Sequence, residues 1–421
     1  SARSALNSPI LRVEGGMMAR ERAEIVIIGA GVMGASLAFH LTRLGVRDIC
    51  ILEKRHVAAG ASGKTGALLR QHYSNVPEAT LVHRSVQVFK QWHDIVGGTC
   101  GYDGSGLIAT VYQTGPDDPN VARMHANVAM QRRIGIKTEV VTAAQLRELQ
   151  PFDRVDDLVC AAYEAESGAV DAVATTRSLI AAAMDYGARL REGVTVTAIR
   201  TASGRVTGVE TSDGSVDAPI VVCCANTWSA PLLATAGVTV PIEVMRVPVA
   251  ILERPEAMAA GHMAYVDTAA GIFCRKWLPG QTLMGVATAE HHSYVDPDHY
   301  DETVDATYGA AAITQIATRM PPMRNARFLT GWAGLYDMSP DTHPILDRAP
   351  DVAGLFMMVG FSGAGFKKAP AIGECMAQII TGQPPAVDLT PFRLARFDDD
   401  SWRQPWSENE YVFTTDFGHI F

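Results

Sequence analysis

Charge of either sign is scarce in this sequence. Only 19% of its 421 residues are Asp, Glu, Lys or Arg, against about a quarter in ordinary globular chains, which excludes disordered, coiled-coil and fibrous classes. Positive charge is in deficit, since 36 Lys and Arg against 45 Asp and Glu leave a net charge of −9. General attraction to nucleic acid or anionic lipid is therefore not expected. The seven cysteines, at 50, 100, 160, 223, 224, 274 and 375, include no CxxC pair. That spacing supports neither a metal site nor a disulfide framework, and a reducing, cytoplasmic compartment fits best. Unbroken membrane spans are absent as well. The run 25–42 is punctuated by Gly29, Gly31 and Gly34, and the run 218–242 holds Asn226, Thr227, Ser229 and Pro231. No repeat of 20–50 residues and no triad or paired-carboxylate signature stands out.

What is present is apolar bulk, with 48% hydrophobic residues. At about 150 residues per domain the length suggests two to three domains. A chain of this size can bury roughly three quarters of its surface. The strongest local pattern runs from Glu24 to Glu53. An apolar strand (25–28) leads into Gly29-Ala30-Gly31-Val32-Met33-Gly34, then a helix with Leu37, Leu41 and Leu44 at helical spacing, a stop at Gly45, and a second strand ending at Glu53. The glycines permit a tight turn, close approach to a pyrophosphate and helix-to-sheet packing, while the helix N-terminus offers free amides. Glu53, nineteen residues past Gly34, is placed to accept hydrogen bonds from both ribose hydroxyls of an adenosine, which disfavours a 2′-phosphate. The fingerprint alone does not separate NAD from FAD. Lys54 and the small-residue loop 60–70 that follow leave room for a larger flavin dinucleotide.

Farther along, 178–186 reads as helix, and 194–199, 206–211 and 220–224 as strands split by Ser203-Gly204 and Asp213-Gly214. Residues 355–359 form another apolar strand entering a glycine-rich turn and a helix over 366–381. Residues 97–150 and 241–330 hold strand-like segments such as 106–112, 247–252 and 282–286, which suggests a second, antiparallel domain. The last stretch, from about Phe397, is acidic and aromatic. It is expected to wrap over the body or to dock a partner, including another copy of the chain.

These motifs resemble the FAD-dependent D-amino acid oxidase superfamily, in its sarcosine and dimethylglycine oxidase and dehydrogenase branch. The resemblance rests on GAGVMG with Glu53, GASGKTGALLR (60–70), VVCCANTWS (221–229), and WAGLYDMSPDTHPILD (332–347) followed by GFSGAGFKKAP (360–370). It implies an α/β architecture in which a Rossmann-like FAD-binding domain (23–96, 151–240 and 331–385) is interleaved with an α+β substrate domain on a mixed or antiparallel sheet (97–150 and 241–330). A flexible tail is expected at 1–22 and an acidic, aromatic tail at 386–421. The implied reaction oxidises the C–N bond of a small amino acid or N-methyl amino acid by hydride transfer to flavin, followed by imine hydrolysis. Oxygen or another acceptor would then take the electrons. A D-amino acid oxidase or dehydrogenase, and an FAD-binding subunit with mainly a docking role, stay open beside it. A flavin hydroxylase fed by NAD(P)H shares the first fingerprint, but the 360–370 motif argues against it.

The resemblance also assigns residues. Gly29 to Gly34, Glu53 and Lys54 would hold the nucleotide, with Ser62 and Gly63 near the phosphates and Val196 at the adenine. Gly360, Phe361, Gly363, Gly365, Phe366 and Lys367 would lie along the flavin, whose negative charge on reduction suits a helix N-terminus. Arg70 and Lys367 would grip a substrate carboxylate as fork and point charge, with Lys368 expected at the surface. His343 is assigned either a flavin-adjacent or a structural place. Covalent attachment would need a cysteine at Gly334 or a histidine near Gly63 or Lys64, so FAD is expected to be noncovalent. An oxygen-activating lysine would fall near Leu283, where only Lys276 is close, and a pocket-closing aromatic near Cys274.

Overall fold

The computed structural model describes residues 21–112, 119–267, 270–286 and 292–411. Its organising element is a six-stranded sheet in the order Ile345–Arg348, Leu355–Val359, Ile220–Cys223, Ile25–Ile28, Ile49–Glu53, Arg189–Glu192. The first pair is antiparallel and the remaining neighbours are parallel. The central strands are apolar on both faces because both faces are covered. Ile25, Ile27, Ile49 and Ile51 enter one core with the helices Val32–Arg43 and Ala369–Ile380. Val26, Ile28, Cys50 and Leu52 enter a second core beneath the sheet built on Val196–Ala202, Arg205–Thr211 and Gly214–Asp217. In-register pairing of Ile28 with both Leu52 and Cys223 sets the carboxyl ends of three neighbouring strands side by side. Ligands of open α/β sheets bind outside that edge.

A nine-stranded sheet forms the other half. Its strands alternate between two cores: Val266, Phe273 and Leu283 point to one side, Tyr265, Cys274 and Met284 to the other, where the helix Ala306–Arg319 packs. This is the α/β, two-part architecture with a mixed second sheet that the motifs imply.

Two boundaries are corrected. Leu158–Glu164, expected in the FAD domain, pairs with Leu107–Tyr112 and Thr138–Val141 in the nine-stranded sheet. Arg327–Met338, expected to change domain at 331, runs unbroken along Glu243–Glu253. An apolar run marks a strand but does not say which sheet takes it. The end of the N-terminal tail is paired where flexibility is expected, whereas the acidic, aromatic C-terminal tail wraps over the body as expected. Glu21 and Arg22 pair in parallel with Val216 and Asp217, and the C-terminal chain from Thr390 folds back as short 3₁₀ turns. There Trp406 stacks on His343 at 3.8 Å between ring centroids, and Tyr411 on His72 at 5.8 Å. Residues 1–20 and 412–421 lie outside the described residues. Among the described residues no helix is long and apolar enough to cross a membrane.

Candidate active site

A cavity of about 640 Å³ follows the carboxyl edge of the six-stranded sheet, lined by Gly29, Gly31, Val32, Met33, Glu53, Lys54, Ser62, Val196, Phe361, Gly363, Gly365 and Phe366 among others. Its floor is main chain. Gly29 has φ +105, and a Cβ there would stand 2.6 Å from the Cys224 carbonyl oxygen; a Cβ on Gly34 would stand 2.0 Å from the oxygen of Gly29. Neither position accepts a side chain. The Ala30 N–H donates to Glu53 Oε2 and the Arg55 N–H to Oε1, both at 2.9 Å, so the carboxylate is oriented before any ribose arrives. Ser62 Oγ accepts from Val32 N–H at 2.9 Å and faces the open side of Gly31, at the positive end of the helix Val32–Arg43. Gly63 packs under that loop, where a Cβ would meet the Ala58 oxygen at 2.3 Å. Such a long cradle, with free amides at its middle and a fixed carboxylate, fits a dinucleotide.

The second glycine loop closes the opposite end. Asp337 Oδ2 accepts from Gly360 N–H at 2.7 Å, and the Asp337 carbonyl accepts from Ser362 N–H at 3.0 Å. Burial pushes the Asp337 carboxyl up to about 7. Gly363, at φ +80, lies so close to Tyr336 that a Cβ would stand 2.3 Å from its ring. Ser36 Oγ donates to the Ala369 carbonyl at 2.8 Å, and Gly373 lets the two helices touch. That contact ties the two glycine motifs together.

Beside this cavity, and sharing Thr65, Tyr336, Gly363 and Phe366 with it, is a small pocket also lined by Arg70, Lys367, Phe273 and Val266. Arg70 follows the two-residue strand Leu68–Leu69, pinned to Gly168–Ala169, and its guanidinium lies 4.7 Å from the Tyr73 ring centroid. Lys367 sits in the 3₁₀ turn Phe366–Lys368. Burial pushes its ammonium down to about 8 against the pull of Tyr73, with Arg70 and Lys368 adding repulsion. Burial alone would raise the Tyr73 phenol, yet Lys367, Lys368 and Arg70 hold it below its ordinary value. Arg70 and Lys367 thus set two half-buried cations against an apolar, aromatic pocket, an arrangement whose chemistry suits an anion.

Over residues 24–379 the chain matches the family model described as FAD dependent oxidoreductase. The chain belongs to that family of FAD-dependent oxidoreductases. Sarcosine dehydrogenase of Mus musculus mitochondria is 27% identical over 414 residues, which cover 93% of this chain and 43% of that protein. The chain thus spans less than half the length of that relative. The sarcosine oxidase subunit beta of Rhodobacter capsulatus is 23% identical, covering 91% of each. Among solved structures, L-proline dehydrogenase from P. horikoshii superposes with a TM-score of 0.82 at 25% identity, over 90% of this chain and 99% of that one. Glycine oxidase from Geobacillus kaustophilus shares the fold, with a TM-score of 0.78 at 23% identity over 89% and 99% of the two chains. FAD is the cofactor the family implies, and the cradle fits it.

Several expected placements in this FAD-dependent oxidoreductase are corrected. Lys368, expected at the surface, is fully buried and ion-paired with Glu78. Successive side chains in a 3₁₀ turn diverge by about 120°, so Lys367 reaches the small pocket while Lys368 reaches Glu78. His343 is not in the small pocket. Its Nδ1 lies 3.0 Å from Glu78 Oε2, and its ring is covered by Trp406, in an adjoining chamber that Arg70 also borders. The aromatic expected near Cys274 is Phe273, which lines the small pocket, while Cys274 itself points into the other core because neighbours on a strand face opposite ways. Lys54 stands at the rim of the cavity with its ammonium 3.0 Å from Asp298. Gly334 faces the side chain of Lys64, a Cβ on it standing 3.2 Å from the Lys64 Cβ. The two positions at which the resemblance puts covalent links are therefore neighbours, and neither carries a cysteine or histidine.

Sequence reasoning missed Tyr73, Glu78, Phe273, Tyr336 and Asp337. Glu78 gives no local signal beyond capping: Asn75 accepts its N–H and donates to Glu78 Oε2, both at 3.0 Å. Its charge partner lies 290 residues away. Tyr336 and Asp337 stood inside a motif already quoted and could have been found there.

Proposed function

We propose that this FAD-dependent oxidoreductase oxidises the C–N bond of a small amino acid or N-methyl amino acid and releases the imine for hydrolysis. The observation that carries this is the pairing of Arg70 and Lys367 in a pocket continuous with the lining of the dinucleotide cavity. Bound FAD would supply the two-electron acceptor for hydride from the carbon next to nitrogen. The protein's own part is positional. Arg70 and Lys367 hold the carboxylate, Tyr336 and Phe273 wall the pocket, and the apolar surround excludes water. In the loop before Ala369–Ile380 the Gly360, Ser362 and Ala364 amides are already donated within the protein, which leaves those of Gly363 and Gly365 for the negative charge a reduced flavin would gather.

FAD held noncovalently is part of this reading, since Gly334, Gly63 and Lys64 offer no linking atom. So is an acceptor other than oxygen: Leu283 is an aliphatic buried against Gly66, and the Lys276 ammonium is 3.1 Å from Asp103. Seven buried, free thiols suit a reducing, cytoplasmic setting. The test is anaerobic addition of N-methyl and D-amino acids while flavin absorbance is followed, then admission of air. Bleaching by a small N-methylated amino acid and slow recovery in air are expected. Arg70→Met should keep the flavin spectrum and lower the reduction rate by about 100- to 1,000-fold, the cost of removing a charged carboxylate clamp. No bleaching with any member of the panel would overturn the proposal.

A further inference from the structure

The carboxyl edge of the six-stranded sheet is crossed by one loop of the other domain. Residues 293–303 are fixed at both ends by main-chain contacts to the nine-stranded sheet. Ser293 and Tyr294 pair with Arg246 and Met245, the Ala333 N–H donates to the Glu302 carbonyl at 2.9 Å, and the Arg246 guanidinium donates to the carbonyls of Asp301 and Thr303, both at 2.8 Å. The tip reaches the FAD-binding half through side chains. Asp298 Oδ1 takes the Lys54 ammonium at 3.0 Å and the Trp228 indole N–H at 2.8 Å, and Lys54 lies 3.6 Å from the Trp228 ring centroid. A second attachment follows, where Lys64 Nζ is 2.7 Å from both the Tyr300 hydroxyl and Glu302 Oε1.

Lys54 continues the strand Ile49–Glu53, and Trp228 lies just past Ile220–Cys223. These two strands flank Ile25–Ile28, whose end carries Gly29. Asp298 therefore joins the two banks of the crevice in which the dinucleotide lies, and all three residues line that cavity.

We propose that loop 293–303 is the clasp that retains FAD, with Asp298 as its fastening residue. The inference rests on the assignment of FAD to the cavity and not on any substrate. A cofactor with no covalent link leaves at the rate at which its enclosure opens. Opening here breaks side-chain contacts at a solvent-facing rim, where the Lys54 and Asp298 side chains are 31% and 57% exposed, and leaves the base of the loop intact. The clasp contacts are charged and exposed, so salt weakens them.

The test uses the holoenzyme and follows the recovery of flavin fluorescence as FAD leaves after dilution. Asp298→Ala should release FAD about ten-fold faster and Trp228→Phe about three-fold faster, as expected for losing a charge-assisted and a single hydrogen bond respectively. About 0.5 M salt should accelerate release from the parent more than from Asp298→Ala. The melting temperature of the apoprotein should not change with Asp298→Ala. Release at the parent rate, an equal salt response, or a matching loss of apoprotein stability would each overturn the clasp. A parent protein that takes up no FAD would overturn the cofactor assignment together with the clasp, whereas unchanged release from an FAD-loaded Asp298→Ala overturns the clasp alone.

Discussion

The long dinucleotide cavity of this protein is built from main chain, and the small pocket beside it from side chains. The long cavity is shaped by Gly29, Gly34 and Gly363, by the start of the helix Val32–Arg43 and by strand ends held in register. Within it, both oxygens of the Glu53 carboxylate are already fixed by backbone amides. The small pocket is walled instead by Arg70, Phe273, Tyr336 and Lys367, drawn from four separate stretches of chain. A backbone cradle is hard to alter and serves a constant ligand. A pocket of side chains can be retuned one residue at a time, which is how one fold comes to accept different amines.

Three substitutions sharpen this contrast, taken from the largest expected effect to the smallest. Gly34→Ala attacks the cradle itself, since its Cβ would fall 2.0 Å from a backbone oxygen that has no room to yield. Purified protein is expected to lack flavin altogether, measured as the ratio of visible to ultraviolet absorbance; flavin retained at the parent ratio would refute the backbone account. Glu78→Gln attacks the support beneath the side-chain pocket. It strands the Lys368 ammonium in the interior, and breaking a buried pair in this way costs about 3–5 kcal/mol. Burial opposes the Glu78 charge, but Lys368 and His343 hold its carboxyl well below the usual range. The parent therefore keeps this stabilisation above the ordinary carboxylate range and loses it as pH falls through the depressed value. Urea unfolding at neutral and acid pH should show the difference between parent and variant shrinking in acid.

The smallest effect concerns Lys367, whose ammonium titrates near 8. Affinity for a carboxylate inhibitor should weaken as pH rises through about 8, because the neutral amine no longer attracts the anion. Lys367→Arg keeps its charge and should remove that inflection from an inhibitor titration. An inflection that survives the replacement would assign it to another group.

Legibility from sequence follows the same division. The cradle is local: strand, turn, helix and acid lie within thirty residues, and the expected strand 355–359 coincides with the observed Leu355–Val359. The pocket is not local. Tyr73 meets Lys368, and Glu78 meets both Lys368 and His343, only because the helix Val76–Lys90 packs against the C-terminal turn. Arg70 and Lys367 were reached by family resemblance and not by spacing, and nothing in the run of residues says that Lys367 faces the pocket while Lys368 faces the core. The same blindness misassigned Leu158–Glu164 and Arg327–Met338, whose apolar alternation would suit either sheet.

The contact between Ser36 and the helix Ala369–Ile380 bears on how the protein is made. The ribosome delivers the first glycine motif early, but the strand Leu355–Val359 that extends its sheet and the helix that carries Gly373 emerge more than 300 residues later. Until then the dinucleotide cradle has one wall missing, and contacts of such wide sequence separation form late and slowly. A nascent chain of this design cannot load its cofactor while it is being synthesised. Flavin uptake would thus mark completion of the fold, and chains released short of Gly373 would reveal themselves by being colourless.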